Sequence, residues 1–182
     1  MTISPIFHNA RPEGELPPQE SAAFDLLDTL GMDYDRVSHD AAFNMELCAD
    51  VSAVLGVSVC KNLFLCNRQK TNFYLLMMPG DKPFKTKELS HQLGIARLSF
   101  ASPEDMEQYL DCTPGSSSIM GLMNDPDDRV QLLMDEDIRE GEYLGCHPCI
   151  NTSSLKLRTA DVLNVYLPAV HHTPVFVHLT GE

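Results

Sequence analysis

Apolar residues recur at helical spacing in some segments of the chain and form continuous runs in others. In residues 18–30, Phe24, Leu27 and Leu30 follow the helical spacing and Gly31 comes next, so the pattern predicts a helix that ends at that glycine. The same criterion predicts further helices over residues 43–55, 85–93, 103–110 and 159–167.

Capping residues support two of these helices. Ser102 stands before Pro103, Glu104 and Asp105, so a serine cap, a proline in the first turn and two acids near the positive end of the dipole coincide. We expect Thr159 to cap the last helix in the same way. Pro168 should end that helix, because proline disfavours helical backbone in the residue before it.

Continuous apolar runs predict the strands. Val57 to Cys66 and Phe73 to Met78 are runs of strand length separated by the polar segment 67–72, which predicts a β-hairpin. Shorter strands are predicted around Tyr34 and Val37 and over residues 97–100, 130–134, 143–146, 154–157 and 174–179. The mixed order of helices and strands predicts an α+β, or mixed α/β, fold.

Length and composition bound the domain organisation. The chain has 182 residues, of which 43% are apolar, enough for one substantial core. Residues 1–16 mix Pro, Gly, Arg and Glu without a period, so we expect a flexible arm followed by one domain over 17–182. No apolar stretch approaches the roughly 20 residues of a membrane span. A soluble, cytoplasmic protein is therefore expected.

The net charge of -13 argues against a protein that coats nucleic acid by bulk attraction. A polyanion would have to meet a local patch. One concentration of cations exists, with Asp81 as its only acid, and it is either a phosphate-contacting patch or a solvated hairpin tip. Its members are Arg68, Lys70, Lys82, Lys85 and Lys87.

A CxxC motif, Cys146 to Cys149, is the first candidate for chemistry. Thioredoxin-like redox motifs open a helix early in a βαβ unit, whereas this one runs into a strand-like segment near residue 150. A zinc site would need two further ligands at a suitable spacing, and none is present. The pattern favours two incidental, reduced cysteines beside a His-Pro turn, with redox and zinc roles as alternatives.

Lys61 and the segment 112–122 are further candidates. A lysine within an apolar strand either points to solvent or directs its ammonium into a cleft, where it can hold an anion or a carbonyl. The segment 112–122 is rich in glycine and serine, which predicts a loop whose exposed N–H groups could form a nest for an oxygen. An ordinary surface turn is the alternative, and the Walker motif is absent.

Three motifs in order carry a family resemblance: Lys-Asn-Leu-Phe at 61–64, Thr-Pro-Gly-Ser-x-Ser before Gly-Leu-Met-Asn-Asp in 113–125, and Gly-x-His-Pro-x-x-Asn-Thr at 145–152. Together they resemble the YbaK and prolyl-tRNA synthetase-associated editing family. The most similar branch is the free-standing alanyl-tRNA(Pro) deacylases of the PrdX or ProXp-ala type. The resemblance covers roughly residues 20–180.

The resemblance implies a curved mixed β-sheet approaching a barrel, flanked by helices, that hydrolyses mischarged aminoacyl-tRNA in trans. It implies mischarged tRNA(Pro) as partner, prolyl-tRNA synthetase as a candidate second partner, and neither DNA nor a membrane. No cofactor or metal is expected. Lys61 and His147 match catalytic positions. The substrate-binding positions implied are Asn62, Gly115, Ser116, Ser117, Ser118, Ile119, Gly121, Gly145, Pro148 and Asn151.

Two departures from the family pattern keep alternatives open. Ile119 stands where the family usually has proline, and Cys149 stands where asparagine is common in this branch. A cysteinyl-tRNA(Pro) deacylase of the YbaK type would keep the fold and change the substrate. A non-catalytic module would use the same pocket to bind aminoacyl-tRNA without hydrolysing it.

Overall fold

The strands form two sheets in the computed structural model, which describes residues 2–41 and 45–182. The first sheet is antiparallel with the order β1-β2-β8-β7, and the second is mixed with the order β5-β3-β4-β6-β9, in which β6 runs parallel to β4 and β9. The strands are β1 Phe7–His8, β2 Tyr34–Ser38, β3 Lys61–Cys66, β4 Phe73–Met78, β5 Ser99–Phe100, β6 Val130–Asp135, β7 Tyr143–Cys146, β8 Ser153–Arg158 and β9 Val175–Val177.

Helices flank the two sheets. The α-helices are α1 Pro18–Leu30, α2 Met45–Leu55, α3 Thr86–Leu93, α4 Pro103–Leu110, α5 Glu136–Glu140, α6 Thr159–Asp161 and α7 Leu167–Ala169. A 3₁₀ helix spans Ile119–Asn124, and a π-helical turn, Val162–Tyr166, joins α6 to α7. No helix among residues 2–41 and 45–182 combines the length and the apolar character that crossing a membrane requires.

The predicted mixed α/β class is confirmed, together with several element boundaries. The first helix ends where expected, since Gly31 adopts a left-handed φ of 66°. Ser102 caps α4 by accepting a hydrogen bond from the Asp105 N–H at 3.1 Å. Phe43, the predicted start of the second helix, lies outside the described residues, and that helix is described from Met45.

Two predictions about the last helix were wrong, namely that Thr159 caps it and that Pro168 ends it. Thr159 is its first residue, and its hydroxyl is buried without a hydrogen-bond partner. Pro168 lies inside the helical segment, because the preceding residue, Leu167, bonds to the carbonyl of Val162 five residues back. This wider turn accommodates a proline ring that an ordinary helix would not.

The second sheet is buried on both faces. Leu75 and Met77 face the main core between the sheets, whereas Leu76 and Met78 face a smaller cluster with Leu89 of α3. A strand buried on both sides cannot alternate polar and apolar residues. This explains why β4 is a continuous apolar run in the sequence.

The expected division into a flexible arm, residues 1–16, and a domain over 17–182 stays a prediction. In the structure, Phe7 pairs with Arg36 of β2. The guanidinium of Arg11 contacts Asp25 and Asp28 on α1 at 2.8 and 2.6 Å. These contacts place the segment along the edge of the first sheet.

Among the described residues, the two sheets meet at one bridge and do not close into a barrel. Val59, just before β3, forms an isolated parallel bridge with Gly145 of β7. A Cβ on Gly145 would lie 2.9 Å from the Cα of Val59 and 3.0 Å from the Ser58 carbonyl oxygen. The joint between the sheets therefore requires glycine at position 145.

Replacing Gly145 by alanine is expected to lower the free energy of unfolding by about 1–3 kcal/mol. The added methyl group would require the backbone of Ser58 and Val59 to move away from that of residue 145. Denaturant unfolding measures the change. Gly141→Ala is the control, since its added Cβ would meet nothing closer than 3.3 Å. Equal stabilities of the two variants would contradict the packing at the joint.

Candidate active site

A gap in the hydrogen bonding of β3 creates the site. β4 pairs with the whole of one side of β3. On the other side, Cys60 N–H donates to Gly145 O and Phe64 O accepts from Ala101 N–H, both at 2.9 Å. Because main-chain groups of alternate residues point to the same neighbouring strand, the main chain of Asn62 faces the space between these two bonds. A cavity of about 290 Å³ opens there.

All three motifs of the sequence reach this cavity. Lys61 and Asn62 line it from β3, Gly115 and Ser117 from the loop before the 3₁₀ helix, and His147 from the end of β7. Segments far apart in the chain therefore meet in one hollow. Leu63, Phe64 and Pro114, which belong to the same motifs, also line it. The remaining lining residues, which the sequence did not indicate, are Cys48, Val59, Cys60, Gly80, Phe100, Ala101 and Met106.

Lys61 is half-buried, and its ammonium donates to the carbonyl oxygen of Lys82 at 2.7 Å. The ammonium of Lys82 is itself bound by Asp135 and Asp137, each at 2.8 Å, and by the Leu179 carbonyl oxygen at 2.7 Å. Asp135 is fully buried. Lys82 thus joins the end of β4 to β6 and to the C-terminal segment, and it fixes the carbonyl that holds Lys61.

A tight turn presents the loop to the cavity. Ser116 N–H donates to Thr113 O at 2.9 Å, and Gly115 has a φ of 87°, so Pro114 and Gly115 occupy the central positions that a type II turn favours. The Ser116 hydroxyl reinforces the turn by bonding to Thr113 O. Among the described contacts, the N–H groups of Gly115, Ser117 and Ser118 have no acceptor. These donors can serve a ligand oxygen.

Two polar side chains on the cavity wall are incompletely satisfied. The Ser117 hydroxyl is buried without a partner, and so is Oδ1 of Asn62, whose Nδ2 donates to Cys60 O at 3.2 Å. Buried polar atoms without partners are rare in native proteins and indicate a ligand or water. Both side chains were predicted to bind substrate, and that role stays a prediction.

His147 is held in one tautomer. Its Nδ1 lies 3.0 Å from Ser153 O, and because a carbonyl only accepts, Nδ1 carries the hydrogen. Ser154 Oγ lies 3.3 Å from the same nitrogen and 2.8 Å from Nε2 of His39. Burial lowers the pKa of His147, so the ring is neutral. Nε2 is left with a lone pair that can accept a hydrogen bond.

Several other predicted contacts do not line the cavity. Ile119 is fully buried in the main core, and its carbonyl oxygen accepts a hydrogen bond from Tyr166. A Cβ on Gly121 would lie 2.8 Å from Leu110 O, so this glycine serves packing. Ser118 donates to His147 O and ties the loop to the third motif. The substrate-binding role stays a prediction for Ser116, Ser118, Ile119, Gly121, Gly145, Pro148 and Asn151.

Of the five cations proposed to contact tRNA, Lys82 differs from the rest because its ammonium is occupied inside the protein. Arg68 and Lys70 are exposed in the β3–β4 turn, and Lys85 and Lys87 are exposed at the start of α3. Lys70 lies 3.4 Å from Asp105. We therefore leave Lys82 out of the candidate tRNA surface.

The CxxC thiols are ill suited to redox chemistry. Burial raises the pKa of Cys146, and a hydrogen bond from the Cys149 thiol to Cys112, together with burial, raises the pKa of Cys149. The reactive thiolate is therefore disfavoured in both. All six cysteines are unpaired, as expected.

A separate polar cluster consists of Asp125, Asp128 and His172. His172 Nδ1 lies 2.7 Å from the Val170 carbonyl, and Nε2 lies 2.9 Å from Asp125. Asp125 also accepts hydrogen bonds from the N–H groups at the start of β6. The cluster therefore serves to join the segment after α7 to β6.

Comparison with known proteins shows the family of the chain. The family model of the aminoacyl-tRNA editing domain matches residues 39–165. The prolyl-tRNA editing protein ProX of Acetoanaerobium sticklandii is 27% identical over 143 residues, which cover 79% of this chain and 87% of that protein. The prolyl-tRNA synthetase associated domain-containing protein 1 of Danio rerio is 29% identical over 156 residues, covering 84% and 83%.

A solved structure shares the fold. It is described as a candidate trans-editing enzyme for prolyl-tRNA synthetase, with a TM-score of 0.65 and 14% identity, and the match covers 91% of this chain and all of that one. At this identity the likeness shows the fold alone. The family match spans more than half of the chain, so this protein belongs to the aminoacyl-tRNA editing domain family.

Proposed function

We propose that this chain is a trans-editing hydrolase that deacylates mischarged aminoacyl-tRNA, with alanyl-tRNA(Pro) as its substrate. One observation carries the proposal: a cation, free main-chain donors and a neutral imidazole line one cavity of about 290 Å³. Similarity to proteins named for prolyl-tRNA editing supports the choice of tRNA. The predicted resemblance to alanyl-tRNA(Pro) deacylases supports the choice of amino acid.

The size of the amino acid explains why such a site is needed. A synthetase built for proline rejects the smaller alanine poorly, because each missing methylene forfeits only about 1–3 kcal/mol of binding. A second site that admits a methyl group and excludes a pyrrolidine ring removes the error. Phe64 and Met106 supply apolar bulk to the cavity wall, which favours a small apolar side chain.

The residues support direct attack of water on the ester. Water adds to the carbonyl carbon, the carbon–oxygen bond to the ribose breaks, and the ribose oxygen takes the proton. Nε2 of His147 accepts a hydrogen bond from the water and orients it. The N–H groups of Gly115 and Ser117 stabilise the developing oxyanion, and the ammonium of Lys61 adds a positive charge beside it.

The exposed cations Arg68, Lys70, Lys85 and Lys87 are proposed to contact the tRNA body. Their charge contrasts with a net charge of -13 for the whole chain. A local patch on an acidic protein attracts phosphates while it limits retention of other nucleic acids. Prolyl-tRNA synthetase is the proposed source of the mischarged tRNA.

The proposed function is tested by the loss of ester from alanyl-, cysteinyl-, seryl- and prolyl-tRNA(Pro) incubated with the purified protein. We expect alanyl-tRNA(Pro) to be hydrolysed fastest and prolyl-tRNA(Pro) to survive. Fastest loss of the cysteinyl ester would replace the proposed substrate with that of the YbaK type. No loss from any of the four would show that the protein lacks the proposed activity.

The neutral state of His147 predicts a specific pH profile. Because burial lowers the pKa of this ring below the ordinary value of 6.5, deacylation should persist below pH 6.5 and fall only at more acidic pH. Single-turnover rates across pH, corrected for spontaneous ester hydrolysis, measure the profile. His147→Asn should abolish this acidic fall in rate. A fall centred at or above pH 6.5 would contradict a neutral, buried imidazole.

A further inference from the structure

An exposed aromatic ring borders the mouth of the cavity. Phe100 lines the cavity and is 65% exposed, the largest exposed fraction among the large apolar side chains of the described residues. Phe84 contacts it edge-on, with ring centroids 6.1 Å apart and an angle of 70° between the planes. The ring is thus supported on one side and open on the other.

The backbone holds this ring in a fixed position relative to the site. Phe100 pairs with Leu65 of β3, and the next residue, Ala101, makes the hydrogen bond to Phe64 that closes one end of the gap beside Asn62. The ring therefore stands on the same strand pair that positions Lys61. A ligand that fills the cavity therefore lies beside it.

Unpaired cations stand near Phe84 and Phe100 in the sequence. Lys85 follows Phe84 directly, Lys87 comes two residues later, and Arg97 lies three residues before Phe100. All three are exposed, and none has an ion pair among the described residues. An aromatic ring flanked by cations is the arrangement with which proteins bind single-stranded nucleic acid, by stacking a base and attracting phosphates.

We propose that Phe100 is the stacking platform for the adenine of the 3′-terminal nucleotide of the tRNA. This inference rests on the proposed function. The scissile ester is attached to the terminal ribose, so an ester inside the cavity places the attached base at its mouth, where Phe100 stands. The terminal nucleotide is single-stranded, and its base offers a face for stacking.

The experiment compares two alanylated RNA minihelices that differ only at the terminal nucleotide, one with adenine and one with an abasic ribose. We expect Phe100→Ala to lower kcat/KM on the adenine-ended substrate roughly 5-fold to 100-fold, the range for loss of one stacked base. The abasic substrate should change by less than about twofold. Phe100→Tyr should keep the activity of the parent protein on both substrates.

Controls separate stacking from folding. Val175 is another exposed apolar residue, on the edge strand β9, so Val175→Ala is the matched variant and should leave both rates unchanged. The melting temperature of Phe100→Ala should match that of the parent. If Phe100→Ala lowered kcat/KM equally on both minihelices, or on neither, Phe100 would not be a stacking platform.

Binding of the same minihelices without an amino acid distinguishes failure of the platform from failure of the proposed function. A preference for the adenine-ended RNA that Phe100→Ala removes, in a protein that hydrolyses no ester, would refute the hydrolase and support the platform. Ester hydrolysis at a rate that depends neither on the terminal base nor on Phe100 would support the hydrolase and refute the stacking platform.

Discussion

Replacing Lys61 by methionine is expected to slow deacylation of alanyl-tRNA(Pro) about 100-fold to 1,000-fold, the range for removing one stabilising group from an oxyanion. Among the described residues that line the cavity, Lys61 carries the one formal charge. A charge at the wall of a partly enclosed, largely apolar site acts more strongly than it would in water. Single-turnover loss of the ester from preformed alanyl-tRNA(Pro) measures the effect.

Methionine keeps the length and the apolar stem of Lys61, so the variant tests the charge and leaves the packing in place. The unfolding midpoint should therefore stay close to that of the parent protein. Lys156→Met is the matched control, because Lys156 is half-buried like Lys61 but lies outside the cavity lining and outside the proposed tRNA surface. Turnover by the Lys61 variant within a few-fold of the parent would remove this ammonium from the reaction.

Replacing Lys82 by alanine is expected to lower the free energy of unfolding by about 3–5 kcal/mol, because it leaves a buried carboxylate without its partner. Only 14% of the Lys82 side chain is exposed, and Asp135 is fully buried. Burial opposes the charge of Lys82, but hydrogen bonds to Asp135 and Asp137 outweigh it and raise the pKa. Denaturant unfolding at neutral pH measures the loss.

Two variants accompany this measurement. Lys85→Ala removes an exposed cation without an ion pair and should change stability by less than about 0.5 kcal/mol. Asp135→Asn combined with Lys82→Met removes both charges and should recover part of the loss. A Lys82→Ala protein as stable as the Lys85 control would show that this ion pair does not stabilise the fold.

Local chemistry accounts for the parts of the fold that the sequence predicted well. The glycine after α1 and the serine before α4 end and start their helices through contacts within a few residues. The β3–β4 hairpin follows from two apolar runs around a short polar turn. These signals depend on neighbours in the chain, so no knowledge of the tertiary structure is needed to read them.

Contacts across the fold account for what the sequence could not predict. Lys82 looks like any member of a basic segment, because its partners Asp135 and Leu179 lie 53 and 97 residues away. Phe100 looks like a core residue in an apolar strand, because nothing local shows that its strand ends at an open edge. Ile119 stands beside the serines of the loop, yet the 3₁₀ helix turns its side chain into the core.

The candidate site was predictable only as a set of motifs. Lys61, Ser117 and His147 each had an ordinary alternative, and only their order along the chain suggested a shared site. Most of the apolar wall had no signal of its own, since residues such as Ala101 and Met106 pack like core residues. The gap beside Asn62 depends on the joint at Gly145, which brings together two sheets.

A crystal structure of the protein with an adenosine nucleotide that carries alanine through a 3′-amide in place of the ester tests most directly whether this cavity holds the aminoacyl end. We expect the alanine methyl to lie inside the cavity, with the amide oxygen on the N–H groups of Gly115 and Ser117 and the Lys61 ammonium beside it. An analogue bound outside this cavity, or bound inside it with its carbonyl remote from both groups, would contradict the account.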